Sequence, residues 1–479
     1  MVFNSLAFLY FFIPFFLLYW FVFNKSVKLQ NLLLLVASYI FYAVADLRFL
    51  SFLIGISLLN YLLGIYIEKS QKPQIKKLLL YIGLIQGLGG LAFFKYYNFF
   101  ITSFNDLFHS FNVNLNLQTL NIIIPLGISF FTFRTVSYIL DVNKGKIQAT
   151  KDWIVFFNYV SFFPSILSGP IDKAKSFVPQ LEKKREFNYN QAADGLRQIL
   201  WGLFKKVIIA DNCATITNHL FNNYQHFPGS TLLIGAFLYA IQIYADFSGY
   251  SDMAIGFSHL IGFNVTKNFN YPFFSQNIAE FWRRWHMSLT AWLTEYVFTP
   301  LSIAFRDWDK FGLILAIIAN FTIVGIWHGA NWTYVLFGFL HGCYFIPLIL
   351  KGTMNKKKTI AKNTFFPTFR EALNVLMTFT LAMFTFILFR ADNIRQAISY
   401  IARIFSRSFF SIPSTFYKST MLLIALFMLI EWMGREREYA IADLLIRNKR
   451  VYRWAFYVGL CLMIILLQGR QQKFIYFQF

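Results

Sequence analysis

Cysteine is scarce in this chain of 479 residues, which contains only Cys213, Cys343 and Cys461. Because no two of them are closely spaced, the sequence excludes a disulfide framework and a CxxC-type zinc site. It also contains no HExxH, GxSxG or Walker motif, which excludes the common metalloprotease, hydrolase and nucleotide sites. We therefore expect no bound metal and no tightly bound cofactor.

Charge is also low, at 14% of residues, whereas 57% are hydrophobic and 20% are aromatic. Soluble domains carry about a quarter charged residues, so this composition predicts a polytopic membrane protein. The formal net charge is +22. The basic residues lie in short loops between apolar runs. This distribution is typical of a membrane protein whose loop charges set its topology, and not of a nucleic-acid-binding protein.

Apolar runs recur along the whole chain and predict an all-α protein with roughly ten to twelve membrane segments. No internal repeat or linker interrupts them, so a single membrane domain over residues 1–479 is predicted. The N-terminal run has no basic start and no small-residue cleavage site, and is expected to be the first spanning helix. The runs are Phe3–Phe23, Leu32–Ala45, Phe49–Ile67, Leu78–Phe94, Ile122–Leu140, Ala192–Ile209, Leu232–Tyr244, Phe311–Trp327, Thr333–Leu350, Leu373–Phe389, Met421–Trp432 and Ala455–Leu467.

Loop charge predicts the orientation of the chain. The basic loops Lys69–Lys77 and Lys144–Lys151 alternate with stretches that contain no Lys or Arg, such as Ile101–Gln118 and Asp211–Thr231. The positive-inside rule places the basic loops in the cytoplasm. The N-terminus is then external, and the protein is predicted to be a multi-pass protein of the cytoplasmic (inner) membrane.

Two histidines lie among tryptophans in this apolar chain. His286 lies within Glu280–Thr290, and His328 lies within Ile326–Trp332. Because an ionisable ring is costly in a membrane, each is a functional candidate by default. A packed, structural imidazole is the alternative reading for both.

The segment around the first histidine has an amphipathic pattern. Read as one continuous helix, Glu280–Val297 places His286 within roughly 40° of Trp282, on an aromatic stripe that faces away from Arg283 and Arg284. The two arginines have two readings. They are either interfacial anchors or ligands of a phosphate-bearing donor at the cytoplasmic mouth of a site.

The second histidine separates two apolar runs, Phe311–Trp327 and Thr333–Leu350. This arrangement predicts a helical hairpin with His328 at or near its bend, within the membrane depth of the protein. A charged imidazolium is unfavourable in such a place. His328 is therefore expected to be neutral and able to accept a proton.

The hairpin also contains small residues at helical spacing. Gly325 and Gly329 form one small-xxx-small pair, and Gly338 and Gly342 form another. Such pairs allow helices to approach closely, which would also fix the ring of a nearby histidine. His341 lies in a similar setting without flanking tryptophans, and a structural role is predicted for it.

Other polar residues interrupt the apolar runs. Arg134 is predicted either to pair with Asp141 or to line a cavity. Asp246 and Asp252 are predicted to cap helices at a break in an apolar run. The two prolines of Phe163–Pro170 predict a kinked or re-entrant segment.

Taken in order, these motifs resemble the membrane-bound O-acyltransferase (MBOAT) family, and in particular its bacterial branch that acylates alginate, peptidoglycan and teichoic acid. The resemblance extends over most of the chain and departs from the alginate-type pattern at Phe298–Trp308. That departure leaves the acceptor and the partner open. The matching segments are Pro125–Asp141, Phe163–Leu181, Gly202–Asn212, Asp246–Gly256, Asn268–Thr290, Trp327–Gly342, Phe386–Ala391 and Phe474–Phe479.

The resemblance implies a ring of transmembrane helices around a thinned centre, with interfacial and re-entrant helices and a catalytic tunnel. It implies that His328 is the catalytic residue and that His286 is the second site residue. Donor binding is predicted for a further set, namely Arg283, Arg284, Trp285, Trp327 and Asn331.

The implied activity is the transfer of an acyl group, with acetyl expected, from a cytoplasmic acyl-CoA or acyl carrier protein thioester to a hydroxyl. That hydroxyl belongs either to an extracytoplasmic polysaccharide or to a periplasmic esterase-like partner protein that relays the group. The resemblance favours the relay. The alternative is a non-enzymatic transporter or a scaffold of a polysaccharide export complex, which the lack of repeat symmetry disfavours.

Overall fold

The computed structural model describes residues 1–356, 359–362, 364–444 and 449–475. Throughout these residues the chain forms helices joined by turns and loops, without a β-strand. Lipid offers no hydrogen-bond partner to the backbone, so helices satisfy the amide groups of a membrane protein internally. The predicted all-α fold class is confirmed. Residues 476–479 of the terminal motif Phe474–Phe479 lie outside the described residues.

The apolar helices are those of a multi-pass membrane protein. A shorter apolar helix, Leu6–Val22, precedes the long ones. The expectation of ten to twelve segments also counted runs that form helices of only 16 or 17 residues near the C-terminus. Among the described residues, six helical stretches are long and apolar enough to cross a membrane, namely Val27–Lys69, Pro73–Ser110, Gly229–Leu260, Arg306–His328, Trp332–Leu350 and Phe369–Arg390.

The chain divides into two compact units. The first comprises Met1–Gly195 with Ala254–Thr266, and the second comprises Leu196–Met253 with Lys267–Phe479. The single domain over residues 1–479 stays a prediction, as do the ring of helices and the tunnel that the resemblance implies.

Glycines set the helix packing of the first unit. A Cβ atom at Gly64 would lie 2.6 Å from the ring of Tyr138, and one at Gly83 would lie 2.5 Å from Ile139. These close approaches bring α3 (Leu50–Lys69) and α4 (Pro73–Leu84) against α6 (Ile128–Asn143). The helices that begin in this unit are α1 (Leu6–Leu17), α2 (Val27–Asp46), α3 (Leu50–Lys69), α4 (Pro73–Leu84), α5 (Tyr97–Ser110), α6 (Ile128–Asn143), α7 (Trp153–Ser161), α8 (Ala174–Glu182) and α9 (Tyr189–Leu203).

Arg134 lies on α6 and is fully buried. It holds the proline-containing segment Phe163–Pro170, which is non-helical and buried, as the two prolines predict. A guanidinium group can satisfy several carbonyls that no helix pairs. The side chain donates hydrogen bonds to the backbone carbonyls of Tyr159, Val160 and Pro170 and to the hydroxyl of Ser165.

The second unit contains both candidate histidines. Two sequence-based expectations about its helices are wrong. The helix α11 (Gly229–Leu260) runs without a break through Asp246 and Asp252, whereas Glu280–Val297 is broken at His286. Its helices are α10 (Asp211–Asn222), α11 (Gly229–Leu260, whose last residues belong to the first unit), α12 (Ile278–Arg284), α13 (Met287–Leu293), α14 (Thr299–Ala304), α15 (Asp309–His328), α16 (Trp332–Cys343), α17 (Ile346–Leu350), α18 (Phe369–Arg390), α19 (Ile394–Ile404), α20 (Lys418–Met433) and α21 (Arg450–Leu466).

The predicted hairpin is formed by α15 and α16. Its bend lies between His328, the last residue of α15, and Trp332, the first residue of α16. The backbones of Gly325 and Gly338 meet, since a Cβ atom at Gly338 would lie 3.0 Å from the Gly325 nitrogen. The close packing predicted from the small residues is confirmed.

Buried ion pairs explain the aspartates inside α11. Asp252 binds Lys205, and Asp246 binds Lys206 at 2.7 Å. Lys206 also lies 2.8 Å from Asp211. Both lysines lie in the π-helical stretch 204–210, in which the wider turn presents adjacent side chains towards α11. Asp246 and Asp252 are therefore ion-pair partners and not helix caps.

Candidate active site

The backbone at His286 is in the left-handed region, with φ +44° and ψ +54°. A residue other than glycine costs of order 1–3 kcal/mol there and persists only where its surroundings hold it. The backbone carbonyl of Asn268 accepts a hydrogen bond from Met287 at 2.8 Å, and the His286 carbonyl accepts one from Thr290 at 3.0 Å. These bonds fix the break between α12 and α13 and direct the imidazole inward.

Asn268 also binds the ring of His286. The His286 Nδ1 lies 3.0 Å from the Asn268 Oδ1, which accepts further bonds from the hydroxyl and the backbone N–H of Ser288. The Asn268 amide nitrogen donates to Ser251. Because the amide oxygen can only accept, Nδ1 of His286 carries the proton and Nε2 is the acceptor atom. His286 is fully buried, and desolvation lowers its pKa well below the ordinary value, so the ring is neutral.

Trp327 joins the two candidate histidines. Its ring centre lies 5.8 Å from that of His286 and 4.9 Å from that of His328. Phe247 covers His286 at 4.6 Å, and Phe389 covers His328 at 4.8 Å. The sequence predicted both histidines separately, and the structure brings them together within one aromatic enclosure.

His328 is 3% exposed and lies at the bend of the α15–α16 hairpin, as predicted. Asn331 fixes this bend. Its side-chain oxygen caps α16 by accepting from the Thr333 N–H at 3.0 Å, and its amide donates to the Asp392 carbonyl at 2.8 Å. The predicted donor-binding role of Asn331 stays a prediction, while its contacts are those of a helix cap that holds His328 in place.

The two arginines on α12 are engaged by the protein itself. Arg284 forms an ion pair with Glu280 at 2.7 Å. Arg283 donates to the backbone carbonyls of Met354 and Lys356. Glu280 balances the charge of Arg284, whereas the carbonyl partners of Arg283 are neutral. Arg283 is therefore the better suited of the two to bind a phosphate. The donor-binding role of both residues stays a prediction.

Trp285 is buried in a cluster of phenylalanines. Its ring lies 5.1 Å from Phe269, 5.2 Å from Phe386 and 5.4 Å from Phe281. Phe269 also contacts His286. Trp285 therefore forms part of the apolar surroundings that exclude water from the histidines.

His341 lies beside the same aromatic enclosure. Its Nδ1 accepts a hydrogen bond from the Trp282 indole N–H at 3.2 Å. The ring of Phe337 lies 4.4 Å from that of His341 and 6.1 Å from that of His328.

The sequence missed Asn268 as a site residue, although it lies within the resembling segment Asn268–Thr290. Its role depends on a tertiary contact, and no local pattern announces such a contact.

The fold and the site define a multi-pass membrane protein with two buried histidines that share an aromatic enclosure. Neutral imidazoles accept protons, and a dry enclosure protects a reactive acyl group from water. Among the described residues, no group of three or more His, Cys, Asp or Glu side chains is arranged to hold a metal ion.

Comparison with known proteins gives the class of enzyme. Residues 146–391 match the model of MBOAT, the membrane-bound O-acyltransferase family. The chain is 37% identical over 407 residues to the "Probable alginate O-acetylase AlgI" of Azotobacter vinelandii, covering 85% of this chain and 78% of that protein. It is 32% identical over 437 residues to the peptidoglycan O-acetyltransferase of Helicobacter pylori, covering 84% and 79%.

A third relative is more distant. The teichoic acid D-alanyltransferase of Bacillus subtilis is 31% identical over 281 residues, which covers 56% of this chain and 69% of that protein. The chain belongs to the MBOAT family, and it is an O-acyltransferase. This confirms the resemblance on which the sequence-based expectations rested.

Proposed function

We propose that the protein transfers an acyl group, with acetyl expected, from a cytoplasmic thioester to an extracytoplasmic hydroxyl, and that His328 is the general base. The observation that carries this proposal is the position of His328. It lies buried at the bend of a membrane hairpin, and Trp327 links its ring to that of His286.

In the proposed reaction, His328 takes the proton of the hydroxyl while the oxygen attacks the thioester carbonyl. An ester C–O bond forms, the C–S bond breaks, and the thiolate recovers the proton from the imidazolium. Positioned proton transfer of this kind contributes about 10² to 10⁴ in rate. The reacting hydroxyl and thioester thus give a neutral ester and a neutral thiol.

The tautomer of His286 limits the roles that this residue can have in the reaction. With Nδ1–H bound to Asn268, Nε2 can accept but not donate a hydrogen bond while the ring is neutral. Stabilising an oxyanion needs a donor. His286 therefore orients an N–H group of the donor and does not serve as an oxyanion contact.

The relatives support an acceptor in the cell envelope, since their names specify alginate, peptidoglycan and teichoic acid. The hydroxyl belongs to such a polysaccharide or to a periplasmic esterase-like partner that relays the acyl group. The donor is acyl-CoA or an acyl carrier protein, and the location is the inner membrane. The family assignment disfavours the transporter or scaffold alternative.

The test is acyl transfer in membranes that contain the wild type, His328→Ala or the control His226→Ala, supplied with radiolabelled acetyl-CoA. His226 is an exposed histidine in a short turn, so its loss should not affect transfer. Label should reach a polymer or a partner protein with the wild type and the control only. Equal labelling by His328→Ala would refute the assignment of the base. Absence of label with the wild type would direct the same assay to acyl carrier protein donors.

A further inference from the structure

His341 places a buried N–H group beside the aromatic enclosure of the two candidate histidines. It is fully buried, and its Nδ1 accepts a hydrogen bond from the Trp282 indole N–H at 3.2 Å. Because an indole can only donate, Nδ1 carries no proton, and the proton of the neutral ring is on Nε2. His341 therefore has the tautomer opposite to that of His286, whose Nδ1 carries the proton.

The Nε2–H group of His341 has no hydrogen-bond partner among the residues that the structure describes. An unpaired buried donor costs about 1–3 kcal/mol, and native proteins contain few of them. Aromatic rings hold the imidazole in place, with Phe337 at 4.4 Å, Trp282 at 5.2 Å and Phe281 at 6.3 Å. The orientation of the ring is thus fixed, and its N–H is available to a ligand that carries an acceptor oxygen.

His341 lies on the side of His328 from which the acyl donor is expected. Both rings contact Phe337, which lies 6.1 Å from His328. His341 is near the middle of the span Trp332–Leu350, whereas His328 lies at the bend that precedes this span. Loop charge predicts that the bend is external, so His341 is expected on the cytoplasmic side of it. A thioester from the cytoplasm with its acyl carbon near His328 would have its carbonyl oxygen near His341.

The proposed reaction needs a hydrogen-bond donor at this carbonyl oxygen. As the hydroxyl oxygen attacks, the electron pair of the C=O bond moves onto the carbonyl oxygen, and it returns when the C–S bond breaks. An N–H group already directed at this oxygen stabilises the charge that develops on it. His286 cannot supply that bond, because its Nδ1–H is bound to Asn268 and its Nε2 only accepts.

We propose that His341 binds the thioester of the acyl donor, with its Nε2–H donating a hydrogen bond to the carbonyl oxygen. Trp282 is a positioning residue, because its N–H keeps the proton of His341 on Nε2. This catalytic role differs from the structural role that the sequence predicts for His341. The inference rests on the proposed function, since it assigns a contact of the thioester substrate.

The test is a binding titration of the purified full chain with two pantetheine compounds, because acyl-CoA and acyl carrier protein share the pantetheine arm. In the first compound, CH₂ replaces the sulfur of the acetyl thioester, which leaves a ketone. In the second, CH₂ also replaces the carbonyl group. Neither compound can transfer an acyl group. The wild type should bind the ketone about three- to tenfold more tightly, which is the contribution of one hydrogen bond.

Variants of His341 show whether this residue causes the preference. His341→Phe keeps an aromatic ring without an N–H and should bind both compounds equally. His341→Gln has an oxygen that can accept from Trp282 and an NH₂ group that can donate, so it should retain a preference for the ketone. Acyl transfer should fall by about 10²- to 10³-fold in His341→Phe, as is usual when an oxyanion contact is lost, and by less in His341→Gln. The smaller His341→Leu provides the same test if His341→Phe does not insert.

The matched control is His259→Phe. His259 also lies on a helix long enough to cross the membrane, α11, but it belongs to the first unit, where its Nδ1 lies 3.8 Å from Asp194. The ketone preference and the transfer rate of this variant should match those of the wild type. The proposal would be overturned if the wild type bound both compounds equally or bound neither. An undiminished preference in His341→Phe would also overturn it.

This experiment separates the inference from the proposed function. Binding of the two compounds needs no acyl transfer, and His328→Ala should keep the preference of the wild type. A preference that depends on His341, together with equal acyl transfer by the wild type and His328→Ala, would refute the assignment of the base alone. Transfer that depends on His328, without a preference that depends on His341, would refute the inference alone.

Discussion

Asn268 holds His286 in one orientation and one tautomer. Its side chain contacts the His286 ring, and its backbone carbonyl binds the next residue, Met287. A single buried residue therefore fixes both the left-handed backbone at His286 and the position of the imidazole. Asn268 is comparable to the residues that orient a metal-binding histidine by a hydrogen bond to its second ring nitrogen. Loss of such a residue typically reduces metal affinity or activity by about 10- to 100-fold.

Replacing Asn268 should therefore impair catalysis. We expect Asn268→Ala to reduce acyl transfer by about 10²-fold, because His286 loses the acceptor that selects its tautomer. Asn268→Asp keeps an acceptor oxygen and should recover much of the activity. The measurement is the initial rate of acyl transfer at equal amounts of inserted protein.

Ser288→Ala serves as the control for Asn268. It removes one further bond to the Asn268 oxygen but leaves the contact with His286 in place. Its rate should remain close to that of the wild type. If Asn268→Ala were as active as Ser288→Ala, the orientation of His286 by Asn268 would have no part in the reaction.

The sequence predicted the histidines but not the residues that position them. His286 and His328 are visible because an ionisable ring among tryptophans is costly in an apolar chain. Asn268 is not visible in this way. Its importance comes from which groups it meets in the folded chain, and local composition does not contain that information.

At the hairpin, two glycines allow α15 and α16 to touch. A Cβ atom at Gly338 would lie 2.1 Å from the Phe321 carbonyl oxygen, and one at Gly325 would lie 2.1 Å from the Tyr334 carbonyl oxygen. Because these neighbours are backbone atoms, they cannot rotate away. The position of His328 at the end of α15 thus depends on glycine at both sites.

Gly338→Ala should therefore destabilise the protein. Overpacking of this kind costs about 1–3 kcal/mol, and here a shift of α16 would also move His328. The midpoint of thermal unfolding of the purified protein is measured by size-exclusion chromatography after heating. The rate of acyl transfer is measured as well. Both should fall.

Gly55→Ala is the matched control. Gly55 lies inside α3, and a Cβ atom there would meet no atom within 4 Å. Alanine favours a helix by roughly 0.5–1 kcal/mol over glycine, so this variant should be at least as stable as the wild type. A loss of stability by Gly55→Ala equal to that of Gly338→Ala would mean that backbone contact is not the cause.

Helical periodicity correctly predicted most of the long helices but not their interruptions. The aromatic stripe of Glu280–Val297 suggests one helix, whereas Asn268 holds His286 in a left-handed conformation that divides the segment. In α11 the error is the opposite one. Asp246 and Asp252 look like a break in the sequence, but Lys205 and Lys206 pair with them and the helix continues.

The cluster of Lys206 with Asp211 and Asp246 should contribute strongly to stability. Lys206→Met removes the cation that both carboxylates share and leaves them buried, at a cost of about 3–5 kcal/mol. The variant should unfold at a much lower temperature. It should also lose the hydrogen bond from Lys206 to the Gln472 carbonyl.

Lys184→Met is the control for this prediction. Lys184 pairs with Glu186 at 3.8 Å, but both side chains are exposed to solvent. Exposed pairs contribute about 0–1 kcal/mol, so the unfolding temperature should hardly change. Similar unfolding temperatures for the two variants would show that burial of the Lys206 cluster has no energetic consequence.

The orientation of the whole chain decides which substrate reaches which side of His328. Arg306 and Lys310 lie at or near the start of α15, and Lys351 follows α17, whereas the bend that contains His328 lies at the opposite end of the hairpin. The positive-inside rule then predicts that the bend is on the external side. A hydroxyl acceptor would approach His328 from that side, and the thioester would approach from the cytoplasm.

Single cysteines test this orientation. In a variant without Cys213, Cys343 and Cys461, a membrane-impermeant maleimide added to intact spheroplasts should label Ala330→Cys, which is at the exposed bend. It should also label Asn114→Cys, which lies in the exposed stretch after α5. Lys72→Cys, between α3 and α4, should react only after the membrane is permeabilised, because its loop is basic.

The pattern of the three labels decides the orientation of the chain in the membrane. The reverse pattern would place the N-terminus in the cytoplasm and the bend of the hairpin on the donor side, which is incompatible with an extracytoplasmic hydroxyl at His328. Labelling of Asn114→Cys without Ala330→Cys would retain the predicted N-terminus but move the bend away from the external side. Only labelling of both, with protection of Lys72→Cys, allows His328 to receive the acceptor from outside.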